Sequence, residues 1–169
     1  MFEFIHYLKL DISAEPTVQN CEPCGTNMIP YPLSTSSNCG DPMYFSFNCN
    51  TSSGQVSFKA PSGTYRVTSI DQNKTKFFIQ VMDVVSLRLN PSLPVNQTTP
   101  RNSSSNVLSR VTDDVEIAWE PPLEPICNFS TDCKDWPHST CKSAIDGKRR
   151  CLCTKSFRWD GTKLSCTQG

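Results

Sequence analysis

The 169-residue chain contains no apolar run approaching the roughly 20 residues needed to cross a bilayer. Its opening stretch, Met1-Phe-Glu-Phe-Ile-His-Tyr-Leu-Lys-Leu10, is interrupted by Glu3, His6 and Lys9, so it does not read as a cleavable export signal. Net charge is absent as well. Sixteen basic residues balance sixteen acidic ones, leaving no overall field to hold nucleic acid or an anionic membrane against physiological salt. Only two histidines are present, His6 and His138, and neither stands in a triad or metal-ligand spacing. No glycine-rich loop for phosphate exists, and the adjacent Asp113 and Asp114 read as a turn before a strand rather than as an acid–base pair. These absences argue against an enzyme, a bound cofactor, a metal site and a nucleic-acid partner.

Cysteine, by contrast, is abundant. Ten cysteines in a chain with a hydrophobic share of 37% describe small modules stapled by disulfides rather than one large core, and place the chain where thiols oxidise. Five Asn-x-Ser/Thr triplets, at Asn50, Asn73, Asn96, Asn102 and Asn128, point to the same compartment as glycosylation sites. Outward chemistry without an export signal is reconciled if the sequence is an internal piece of a longer protein or a truncated gene model.

The cysteines form two even groups, Cys21, Cys24, Cys39 and Cys49, then Cys127, Cys133, Cys141, Cys151, Cys153 and Cys166. Between Cys39 and Val84 short alternating runs are separated by Thr51-Ser-Ser-Gly54, Pro61-Ser-Gly63 and Asp71-Gln-Asn-Lys74, the pattern of an antiparallel meander. No helix is expected there. Residues 90 to 106 read as an exposed loop, Val115, Ile117 and Trp119 as one further strand, and Glu120-Pro-Pro-Leu-Glu-Pro-Ile126 as an extended spacer. The fold class expected is mainly β: a remnant of a preceding region at 1–20, a first β domain at 21–90, loop, strand and spacer at 91–126, and a second small domain at 127–166.

Within the first group, Cys21-Glu-Pro-Cys24 has the C-x-x-C form of redox and zinc sites. It lacks both the βαβ setting of the former and the second C-x-x-C of the latter, so structural disulfides are expected. Pairing among these four cysteines stays open. The second group has the spacing C-x5-C-x7-C-x9-C-x-C-x12-C. A unit of this size cannot bury enough apolar surface to fold unaided, and its spacing alone leaves many pairings open.

This spacing, with Phe157 and Gly161 after the Cys151-Leu-Cys153 step, resembles the EGF-like family. The resemblance implies pairing of Cys127 with Cys141, Cys133 with Cys151, and Cys153 with Cys166. The segment between Cys141 and Cys151 is basic and lacks the oxygen ligands of calcium-binding members, so no calcium site is expected. Eight basic side chains against four acidic ones give the module a balance of +4.

Cys24-Gly25, Ile29-Pro30-Tyr31-Pro32, Cys39-Gly40 and Phe47-Asn48-Cys49 resemble the galacturonan-binding domain of plant wall-associated receptor kinases, with Leu33 where an aromatic is usual. The order of that domain, a proline-rich spacer and the second cysteine group is similar to the membrane-proximal ectodomain of G-type lectin S-receptor-like serine/threonine kinases. The resemblance implies a non-catalytic extracellular segment that contacts acidic wall polysaccharide or a protein ligand, on the outer face of the plasma membrane through parts of a parent receptor. Alternatives are a stand-alone secreted ligand or inhibitor, and a structural spacer. Candidate contact residues are Tyr31, Tyr44 and Tyr65 as rings for sugars, and Lys74 and Lys76 as cations for uronates.

Overall fold

The computed structural model describes residues 20–98 and 113–169. The expected N-terminal remnant and the triplet at Asn102 lie outside the described residues. A ribbon of β1 (Cys21–Cys24) and β2 (Asn27–Ile29) is followed by β3 (Phe47–Asn50), β4 (Gln55–Ala60), β5 (Gly63–Asp71) and β6 (Lys76–Val81). Two further strands, β7 (Val95–Gln97) and β8 (Asp113–Trp119), complete one antiparallel sheet of order β3-β4-β5-β6-β8-β7. The second module holds two hairpins, β9 (Ser139–Ser143) with β10 (Arg149–Cys153), and β11 (Phe157–Asp160) with β12 (Ser165–Gln168). Among the described residues the only helical elements are three single turns.

Strand alternation gives the sheet one buried face. Val56, Phe58, Phe77, Ile79, Val115 and Ile117 are almost fully buried there, beneath Ile29, Leu33 and Leu87. Phe47, Phe58 and Phe77 form a triangle with ring centroids 5.1 to 5.3 Å apart, tilted or edge-on as aromatic quadrupoles favour. Leu93 and Val95 are buried in the same core, which corrects the expectation that residues 90 to 106 begin as a bare exposed loop. The first domain likewise does not stop at residue 90. Strand β8 pairs with β6 over six residues and supplies Val115, Ile117 and Trp119 to the core, so it widens the buried face that β6 forms with Phe77, Ile79 and Val81.

Five disulfides staple the modules. Cys21–Cys39 and Cys24–Cys49 lie in the first, and Cys127–Cys141, Cys133–Cys151 and Cys153–Cys166 in the second, with no free cysteine. The two Cys-Gly pairs have a steric reason. Gly25, at φ 59°, lies so near the backbone of Gly54 that an added Cβ would sit 2.8 Å from its Cα. Gly40, at φ 67°, would place a Cβ 2.4 Å from the Leu33 carbonyl oxygen. Each glycine lets the chain leave its cysteine in a left-handed turn against a neighbouring backbone.

The modules share a buried junction. Tyr31, after Pro30 and joined to Pro32 by a cis peptide, puts its ring 5.5 Å from that of Trp136 in the second module. Arg150, 1% exposed, reaches back across the junction. Its guanidinium lies 3.5 Å from the Asp41 carboxylate and 3.0 Å from that of Asp146, and it donates to the Glu124 carbonyl. Trp159 Nε1 donates to the Pro122 carbonyl at 2.8 Å, so the spacer is seated against the second module. Proline fixes its φ, and these bonds fix the rest.

Candidate carbohydrate-binding face

The opposite face of the six-stranded sheet is half to fully exposed and largely polar, with Phe78 and Ala118 as apolar members. Cross-strand partners on it include Asn48 with Ser57, Ser57 with Arg66, Lys59 with Thr64, and Phe78 with Glu116. Directly opposed side chains of an antiparallel pair lie about 5 Å apart, and diagonal ones about 7 to 8 Å. Lys59 and Arg66 are therefore diagonal neighbours. Both are exposed, and neither has an ion-pair or side-chain hydrogen-bond partner among the described residues. Beside Arg66 runs a groove of about 470 Å³ whose walls include Thr64, Tyr65, Gln80, Met82 and Ser86. Arg66, the Gln80 amide and the Thr64 and Ser86 hydroxyls put polar groups along a groove that Val81 and Met82 make largely apolar and to which Asp83 adds one carboxylate, and Lys59 stands outside it on the same sheet face.

The sequence-selected residues fare unequally. Tyr31 and Tyr44 are 5% and 2% exposed, and this corrects their selection as sugar-stacking rings. Tyr31 is committed to Trp136, and Tyr44 donates its hydroxyl to the Glu120 carbonyl at 2.8 Å. Burial, reinforced by the Asp41 carboxylate, pushes both hydroxyls well above the ordinary tyrosine pKa. Tyr65 turns its ring toward the core, and its hydroxyl is 2.6 Å from Ser62 Oγ, at the edge of the groove. Lys74 is exposed in the turn between β5 and β6. Lys76 lies on the outer face, but its ammonium is 2.7 Å from the Glu116 carboxylate, so its charge is answered within the protein. Hydrogen bonds from Lys76, and then from Thr98, hold Glu116 below the usual carboxylate range.

Arg66 and Lys59 were missed by sequence reasoning although a signal existed. Val67 and Phe58 alternate with them as inward residues, so strand parity alone assigns both cations outward. The sulfurs of Cys127, Cys133 and Cys151 gather within 4.8 Å, but every one is in a disulfide and offers no thiolate to a metal. Among the described residues no helix is long and apolar enough to cross a membrane.

Residues 19–83 match the family described as wall-associated receptor kinase galacturonan-binding. Over 54 residues the chain is 44% identical to wall-associated receptor kinase-like 15 of Arabidopsis thaliana, a match that covers 31% of this chain and 8% of that relative. The chain thus spans less than a tenth of the relative it matches. No solved structure matches the chain. The matched residues are β1 to β6, including the two Cys-Gly turns and the Lys59 and Arg66 face, so the first module is similar in sequence to the galacturonan-binding segment of wall-associated receptor kinases.

Proposed function

We propose that this chain is an extracellular, non-catalytic segment of a wall-associated receptor kinase-like protein and that it holds acidic cell-wall polysaccharide on the outer face of its sheet. The carrying observation is that the region matching the galacturonan-binding family presents two unpaired, adjacent cations, Lys59 and Arg66, on a hydroxyl- and amide-lined surface. The second module is EGF-like on this reading, supported by first-to-third, second-to-fourth and fifth-to-sixth disulfides. It serves as the support through which the sheet is set on the rest of the receptor. A serine/threonine kinase and a membrane anchor would belong to other parts of the parent protein, and the G-type lectin architecture rests on the order of modules in the sequence.

Titration of the whole chain with oligogalacturonide at low and physiological salt tests the reading. Exposed charge pairs are worth about 0–1 kcal/mol each, so binding is expected to be weak and to fade as salt rises. Lys59→Ala with Arg66→Ala should abolish it, while Lys76→Ala should change it little. Binding that survives loss of both cations, or none by the intact chain, would sink the reading. The latter result would favour a rigid spacer, a role to which the buried Arg150–Asp41 junction is suited.

A further inference from the structure

Three exposed large apolar side chains gather around Arg150 where the modules join: Met43 from the first module, Leu123 from the spacer and Ile145 from the β9–β10 turn. Leu123 and Ile145 line a mostly apolar groove of about 440 Å³ together with Ala144, Arg150 and Leu152. Met43 Sδ lies 3.9 Å from Nη2 of the same arginine. Ile145 is fully exposed although the turn that carries it is firmly made. Ala144 N donates to the Lys148 carbonyl, Gly147 N donates to that of Ala144, and Gly147 takes a φ of 79°. An apolar side chain held in water at a turn tip, beside an apolar groove, marks a contact surface. The two walls of the groove are unlike. The hairpin wall offers Ile145 and, beside it, the exposed cation Lys142, cross-strand partner of Arg150 on one face of the hairpin. The spacer wall offers Leu123 and Glu124. Neither Lys142 nor Glu124 is in an ion pair among the described residues, whereas Asp146 on the hairpin is answered by Arg150.

We propose that this groove is a self-association surface, on which a second copy of the chain docks about a two-fold axis with the hairpin wall of each copy against the spacer wall of the other. A two-fold contact needs a patch that contains its own complement. Here Ile145 of each copy meets the Leu123 side of the other, and Lys142 faces Glu124 twice, once on each side of the axis. A formal net charge of zero leaves no long-range repulsion between copies. The contact area is small, so the dimer is weak, with a Kd of about 0.1 mM. Lys59 and Arg66 lie outside this surface, so pairing does not depend on polysaccharide.

Sedimentation equilibrium of the whole chain from about 10 μM to 1 mM should show monomer passing into dimer. Ile145→Asp should stay monomeric over that range with its thermal midpoint unchanged, since the side chain it replaces is exposed. Lys142→Glu and Glu124→Lys should each weaken the dimer about tenfold. An equimolar mixture of those two variants should recover it, because both pairs across the axis are then opposite in sign. Recovery in the mixture separates a contact between copies from an effect within one chain. A chain that stays monomeric at about 1 mM overturns the proposal and leaves the groove to a different protein. A dimer that Ile145→Asp leaves intact, or a mixture that associates no better than its components, overturns it as well.

Discussion

The two modules carry similar numbers of disulfides and are held together by different physics. In the first, nineteen buried residues form one continuous core with an aromatic triangle at its centre, and two disulfides trim its margin. In the second, the buried cluster consists of four cysteines, Trp136 and Tyr31, and Tyr31 comes from the first module. A sheet with a large apolar face tolerates losing a staple, and a pair of hairpins does not. The second module is therefore a dependant of the first, joined to it by Tyr31, Asp41 and the seated spacer.

The comparison breaks most severely under truncation. A fragment ending at residue 90 lacks β7 and β8 and with them Val95, Val115, Ile117 and Trp119, side chains worth about 1.5–3 kcal/mol each when fully buried. That loss rivals the whole stability of a small domain, about 5–15 kcal/mol. The fragment should show no cooperative thermal transition by circular dichroism, even though it contains the entire family match. A cooperative transition would mean that β8 is an ornament of the sheet.

Next in size is the junction. Arg150→Ala leaves the Asp41 carboxylate buried without its partner, which costs about 3–5 kcal/mol. Calorimetry should show the single unfolding transition split or fall sharply. Arg150→Met with Asp41→Asn should be clearly milder than Arg150→Ala alone, because no uncompensated charge remains. Equal destabilisation by the two variants would deny the ion pair its role.

Cross-link removal separates the modules directly. Cys133→Ser with Cys151→Ser should cost about 2–5 kcal/mol and expose the second module to limited proteolysis while the sheet stays protected. Cys24→Ser with Cys49→Ser should lower the midpoint yet leave both modules protected. Proteolysis that starts in the sheet in both cases would erase the distinction. Tyr44→Phe is smaller, about 1 kcal/mol for one hydrogen bond to the Glu120 carbonyl, read as a shift in urea midpoint without change in slope.

The smallest effect is acid sensitivity. The hydrogen bond from Arg150 holds Asp146 below its ordinary 3.8. A carboxylate depressed in the folded state contributes stability above its unfolded pKa and loses it as pH falls through the folded one. Stability should therefore decline below about pH 4, and Asp146→Asn should flatten that decline. An unchanged slope would show that Asp146 is not coupled to folding.

Much of this was legible in the residues. Alternation and turn chemistry located β3 to β6, and the two even cysteine groups matched two separately stapled modules. What escaped the sequence depends on distance along the chain. Arg150 and Asp41 are separated by 109 positions, and no local pattern marks either as the other's partner. Tyr31 and Tyr44 were selected as rings able to stack on sugars, and what buries them, Trp136 and the Glu120 carbonyl, lies far along the chain and leaves no local mark. Arg66 and Lys59 were within reach of parity and were passed over for the more conspicuous Lys74 in a turn and Lys76 at the start of β6.

The pairing of β6 with β8 carries a kinetic consequence. Strands β3 to β6 join through tight turns and can zip locally in sequence, but β8 is recruited only after the chain between Val81 and Asp113 has closed on itself. Loop closure of that length, roughly 30 residues, is slow compared with hairpin formation. Until it happens Lys76-Phe-Phe-Ile-Gln-Val81 stands as a bare edge, a short run of high β-propensity able to pair with the same run in another molecule. Refolding yield should therefore fall with protein concentration, and the interval before β8 docks is when the chain is most exposed to misassembly.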